Sequence, residues 1–146
     1  MSRASTHIFR VQLRPRVYRD IEIESTKSLY EFAAAIVQAF DFDFDHAFGF
    51  YDTSDKNIFS APLRYELFAD LDDGHEARSV KRTKVAQAFP AVGSKMQFLF
   101  DYGDEWRFQV EVIGQGEKVP RARYPKVLKA AGKPPPQYPS DEDTEA

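Results

Sequence analysis

The chain has 146 residues, a formal net charge of −3, a pI near 5.6 and 42% hydrophobic residues, among them thirteen Phe, seven Tyr and one Trp. Such a length fits one domain with a tail, and so much aromatic area to bury excludes disorder of the whole chain. The acidic balance removes any global pull toward phosphate backbones, the absence of cysteine excludes disulfides, a thiol nucleophile and thiolate-bound metals, and no apolar run approaches the roughly 18 residues of a membrane helix, so a cytoplasmic protein is expected.

From His7 the chain alternates, with Phe9, Val11 and Leu13 on one face and Ile8, Arg10, Gln12 and Arg14 on the other, which is a strand. After Pro15 a second strand sets Val17, Ile21 and Ile23 against Tyr18, Asp20, Glu22 and Glu24, making an N-terminal hairpin that turns at Arg14-Pro15-Arg16. Ser28-Leu29-Tyr30-Glu31 is a capping box and starts a helix, whose Leu29, Phe32, Ala33, Ile36, Val37 and Phe40 form one apolar stripe that stops before Asp41. Phe48 and Phe50 mark a short strand, followed by a loop of turn formers from Asp52 to Asn57. The middle reads as a helix over 64–71, a turn at Asp72-Asp73-Gly74 and a second helix from Thr83 to Phe89, ended by Pro90 and Gly93.

A long hairpin follows. Met96, Phe98, Phe100 and Tyr102 alternate with Gln97, Leu99 and Asp101, and Trp106, Phe108, Val110 and Val112 alternate with Arg107, Gln109 and Glu111. Gly103-Asp104-Glu105 joins the arms, with Gly103 free to take positive φ and Asp104 able to cap backbone amides. Beyond Ile113 the chain reads as a basic connection, then a segment with Pro134-Pro135-Pro136, then an acidic end from Ser140 that is expected to be disordered.

This order of elements, with Phe100-Asp101-Tyr102-Gly103-Asp104 and Trp106 matching a pattern of the form Y-D-[FY]-G-D-x-W and His46-Ala47-Phe48 matching H-x-F, resembles the plasmid pRiA4b ORF-3-like family. The resemblance covers about residues 7–128. It implies an α+β domain with a β-grasp-like mixed sheet, in which the N-terminal hairpin, a short strand and the long C-terminal hairpin pack on one main helix. Residues 129–146 are then a flexible Pro-rich and acidic tail. Many members carry a cysteine-bearing segment after the last strand, which this chain lacks, and the resemblance implies no reaction.

Three sets of residues are candidates for function. Asp101 and Asp104 at the turn, with His46 behind three acids, have the chemistry of an acid and base pair or of hard-cation ligands, although turn formation accounts for both carboxylates. Asp41, Asp43, Asp45 and Asp52 have the spacing of a calcium loop, but His46 stands where the sharp turn needs Gly and Asp52 where a bidentate Glu closes the shell. Tyr102, Gly103, Asp104 and Trp106 at the turn, and Arg121, Arg123, Tyr124 and Lys126 in the basic connection, suit a partner surface. The leading expectation is therefore a non-catalytic binding or adaptor domain with a protein partner and no cofactor. The alternatives are an enzyme using His46, Asp101 and Asp104, and a nucleic-acid accessory protein of mobile-element or regulator context. The latter would use two basic runs, Arg78, Lys81, Arg82 and Lys84 and then Lys118, Arg121, Arg123, Lys126 and Lys129.

Overall fold

The computed structural model describes residues 5–53, 57–67 and 77–137. The two alternating N-terminal runs form β1 (Ser5–Arg14) and β2 (Val17–Glu24), and the capped stripe forms α1 (Leu29–Ala39). Ser28 Oγ accepts the Glu31 N–H at 3.1 Å, while the Glu31 carboxylate reaches Lys27 at 3.5 Å. There follow β3 (Phe48–Tyr51), a 3-10 turn (Ile58–Ser60), β4 (Arg64–Glu66), β5 (Arg78–Ser79), the single-turn helix α2 (Val85–Ala88), β6 (Lys95–Phe100), β7 (Trp106–Glu117) and β8 (Lys126–Ala131). All eight strands join one sheet in the order β5-β4-β3-β6-β7-β1-β2-β8, antiparallel except for β4 with β5. The α+β class expected from the sequence is the class found. No helix among the described residues is long and apolar enough to cross a membrane.

One face of this sheet is apolar, and α1 lies on it. Leu29, Phe32, Ala33, Ile36 and Val37 are fully buried against Phe9, Val11, Ile21, Ile23, Phe50 and Val110. Ring packing runs through this layer: Phe9 stands 4.2 Å from Phe32, and Phe98 is within 6.5 Å of the rings of Phe48, Phe50, Phe100 and Phe108. Two polar side chains are built into the layer. Both ring nitrogens of His7 are hydrogen-bonded, to Ser25 Oγ at 2.6 Å and to the Phe89 carbonyl at 2.8 Å, so His7 joins β1 to the chain around α2. Arg19, on the core side of β2, donates to the carbonyls of Ala39, Tyr18 and Ala131 and lies 5.0 Å from the Phe40 ring. It thereby satisfies a carbonyl that the end of α1 leaves without an intrahelical partner.

Several expectations are corrected. Residues 64–66 are a strand, because Tyr65 faces the core while Arg64 and Glu66 alternate with it on a ladder with β3. The second helix is confined to Val85–Ala88, where Gln87 Oε1 caps the Lys84 N–H. The connection after Ile113 contains an edge strand, β8, whose Lys126 and Lys129 stand opposite Glu22 and Asp20. The sheet thus runs past residue 128, and Gln137 is buried beyond it. Leu99, on the supposedly polar face of β6, is buried in a second cluster with Tyr51, Ile58 and Ala61. The turn expected at Asp72-Asp73-Gly74 and the acidic end from Ser140 lie outside the described residues.

Because Phe98 joins four rings at the centre of the layer, Phe98→Ala should destabilise the fold by about 3–5 kcal/mol in chemical denaturation. A loss below about 1 kcal/mol would show that the ring layer is not what holds the sheet to α1.

Candidate functional site

The hairpin turn spans residues 101–105, and the left-handed residues within it are Asp101 (φ 65°) and Glu105 (φ 54°), not Gly103. Asp101 holds this shape through both backbone and side chain. Its N–H donates to the Ala47 carbonyl at 2.8 Å, its carbonyl accepts from the Glu105 N–H at 2.6 Å, and its Oδ1 accepts from the N–H groups of Gly103 and Asp104 at 3.1 and 3.3 Å. The amide-capping role expected of Asp104 therefore belongs to Asp101, an Asx side chain being one of the few non-glycine types at ease in this region.

The second oxygen of Asp101 lies 3.5 Å from Nε2 of His46, whose Nδ1 is 2.6 Å from Asp45 Oδ1. The structure thus brings His46 and Asp101 together, with Asp104 exposed beside them. The hydrogen bond to Asp45 raises the His46 pKa above its ordinary value, and the charges of Asp101 and Asp104 add to this. A hollow of about 330 Å³ opens beside His46, lined by Tyr30, Phe44 and Asp45 among others, but neither Asp101 nor Asp104 lines it. The four carboxylates with calcium-loop spacing do not converge. Asp41 closes the end of α1 with φ 61°, Asp43 is clamped by its backbone to the Gln137 carboxamide, and Asp52 follows the far end of β3, roughly 13 Å of strand from Phe48. Among the described residues no group of three His, Asp or Glu side chains is placed to hold a metal ion.

The left-handed step at Asp101 also sends Tyr102 to the sheet face away from α1, off the apolar face expected for it. There it meets a cluster that the sequence reading did not single out. The Tyr51 hydroxyl donates to Glu66 Oε2 at 2.5 Å and lies 2.7 Å from the Tyr102 hydroxyl. Gly49 makes this possible, since a Cβ there would stand 2.6 Å from Tyr51 Oη and 2.8 Å from its ring. Burial and then the bond to Glu66 push the Tyr51 pKa far up, so Tyr51 remains a hydrogen-bond donor. Tyr102, with an exposed ring and a hydroxyl end enclosed by the cluster, is pushed up to about 12, mainly by burial. A glycine within a strand beside an aromatic was the one available signal.

Next to this cluster stands Arg107, which donates to Gln97 Oε1 at 2.6 Å and to Glu105 Oε1 at 2.5 Å. It is the wall common to two hollows. One, of about 250 Å³, is lined by Glu66, Leu99 and Tyr102; the other, of about 580 Å³, lies toward the ends of β1 and β6.

The remaining candidates are dispersed. Trp106 is half-buried, its ring 4.8 Å from Phe42, and among the described residues its buried Nε1 has no hydrogen-bond partner. The Tyr124 hydroxyl accepts from the Val119 N–H, Lys126 pairs with Glu22 at 3.7 Å and Lys118 with Glu24 at 3.0 Å, while Arg121 and Arg123 are exposed. Arg78 on β5 and Lys126 and Lys129 on β8 occupy opposite edges of the sheet, so the two basic runs do not converge there.

Two outcomes follow from this geometry. A pKa raised on folding contributes stability that is fully present below the unfolded value and lost as pH rises through the folded one. The melting temperature of the native chain should therefore exceed that of His46→Gln most clearly below about pH 6.5, and the gap should narrow as pH rises. A gap that stays constant would show that His46 carries no charge-dependent contact. Gly49→Ala, which forces the Tyr51 ring aside, should cost about 1–3 kcal/mol, and an unchanged denaturation midpoint would contradict the close approach.

The crystal structure of a protein of unknown function from Methanosarcina mazei Go1 is similar to this chain with a TM-score of 0.74 at 18% sequence identity, over 91% of this chain and 74% of that one, which speaks for the fold alone. No curated protein is significantly similar to the chain. The family model of the plasmid pRiA4b ORF-3-like proteins matches residues 6–140. The match takes in both hairpins, α1 and β8, and the chain belongs to the plasmid pRiA4b ORF-3-like family.

Proposed function

We propose that the protein is a non-catalytic binding or adaptor domain whose contact surface is the 101–105 turn and the sheet face beside it. One observation carries this: Arg107, fixed by Gln97 and Glu105, separates two adjoining hollows on the face that α1 leaves uncovered. Preformed hollows with a few fixed polar groups are the usual form of a binding site. Tyr102, Gly103 and Asp104 are exposed at the rim and offer an aromatic ring, backbone and charge to a partner. The basic connection ranks below the turn as a contact surface, because Lys126 and Tyr124 are engaged by Glu22 and Val119.

An acid and base pair made of His46 and Asp101 is the second reading, supported by their 3.5 Å separation. It ranks lower because Asp101 Oδ1 is committed to the turn amides and Asp101 does not line the hollow at His46. We also take the architecture as β-grasp-like, a mixed sheet on one main helix, a reading supported by β1 and β2 leading into α1 and by β7 lying beside β1.

Affinity capture from cells tests the binding reading. The full chain should retain a partner that Tyr102→Ala and Arg107→Ala variants lose without a matching loss of secondary structure. A partner held equally by all three, or none above background, would refute it.

A further inference from the structure

The larger hollow arises from a fork in the sheet. The ladder between β1 and β7 stops at Gln12 opposite Gln109, yet β1 continues to Arg14 and β7 begins at Trp106. Residues 13–14 and 106–108 therefore diverge, with β1 still tied to β2 through Arg14 and Val17 and β7 still tied to β6 through Trp106 and Phe100. In an antiparallel ladder, alternate residues direct their N–H and C=O to alternate neighbours. On the inner side of the fork the β1–β7 ladder makes no further pair, and no loop or turn backbone hydrogen bond among the described residues reaches Leu13 or residues 106–108. An opening of about 580 Å³ extends from these diverging ends across β7 to the start of β6 and to Asp52 and Thr53, and at the fork it offers strand-edge backbone of the kind an extended chain pairs with.

The side chains around the fork narrow the choice of occupant. Gln12 and Gln109 face each other across the last pair of the ladder, and neither carboxamide is hydrogen-bonded within the described residues. Each offers two N–H donors and an acceptor, which suits amide groups and is more than a bare anion requires. Arg14, Lys95 and Arg107 line the opening against a single acid, Asp52. Arg14 and Lys95 are exposed and make no ion pair among the described residues, so two cations remain available to a ligand carboxylate. Leu13 supplies an apolar patch on the β1 side.

Resting on the binding reading above, we propose that the fork takes an extended peptide segment bearing an acidic residue, with its backbone along the diverging ends of β1 and β7 and its carboxylate between Arg14 and Lys95. Amides serve the peptide backbone, and the local charge selects its side chain. Nucleic acid would meet the same cations, but its backbone carries no N–H and C=O groups repeating at strand spacing to pair with the open ends of β1 and β7.

A displayed library of short random peptides, panned on the full chain, tests this. Recovered peptides should be enriched in Asp and Glu and should bind about tenfold or more weakly to a chain carrying Arg14→Glu and Lys95→Glu together, which reverses two exposed charges. Gln109→Leu, which changes no charge, should weaken them as well. Melting temperatures of both variants should match that of the native chain. No acidic enrichment, equal binding to both variants, or full displacement of the peptides by a single-stranded oligonucleotide would overturn the proposal. If panning fails while a captured partner still depends on Arg107, the fork proposal falls and the binding reading stands; if both fail, both fall.

Discussion

Burial of the α1 stripe against the phenylalanines of β1, β3, β6 and β7 is the contact on which the rest depends. It uses one face of the sheet only, where Phe9, Phe32, Phe50 and Phe98 enclose one another. The polar side chains in that layer, His7 and Arg19, bridge backbone groups whose ladders and helix turns have ended. The opposite face carries a smaller buried cluster, Tyr51, Ile58, Ala61 and Leu99, over β3 and β6. Over β1, β2 and β8 it is a set of charge pairs: Arg10 with Asp20, Lys126 with Glu22, and Lys118 with Glu24. These surround Thr6, which donates to Glu22 at 2.6 Å, and together they attach an edge strand that has little apolar surface of its own.

The turn at 101–105 connects the two faces. Had the alternation of β6 continued, Tyr102 would have joined Phe98 and Phe100 beneath α1. The left-handed conformation of Asp101 breaks the alternation, directing its carboxylate to the turn amides and His46 and placing Tyr102 over the far face with Tyr51. One backbone torsion thus explains both the contact between His46 and Asp101 and the polar cluster on the opposite side of the sheet.

The same torsion shows why part of the structure was legible in the sequence and part was not. Strands β1, β2 and β6 and the helix α1 are long enough for period-two or period-3.6 patterns to stand out, and the patterns mark nearly their observed limits. The three residues of β4 and two of β5 are too short to carry a period, and β8 conceals its period because Val127 and Leu128 are half-exposed at a bulged edge. A left-handed Asp is invisible next to a Gly that advertises the same freedom. For the candidate site, His46 and Asp101 were named from residue type and indeed meet. The cluster of Tyr51, Glu66 and Tyr102 joins positions 51 residues apart through ladder register, which no local pattern encodes.

Arg107 gives the uncovered face a mechanical unity. Its guanidinium is held from two directions, by Gln97 across the ladder and by Glu105, which is itself fixed by the turn. Gln97 in turn donates to the Thr53 carbonyl at the end of β3. The turn and the end of β3 are thus joined through two side chains, Arg107 and Gln97. The two hollows therefore share one wall, whose position the turn and the end of β3 define together. This connection is separate from the aromatic layer, because Thr53, Gln97, Arg107 and Glu105 all lie on the face that α1 does not touch or in the loops that border it.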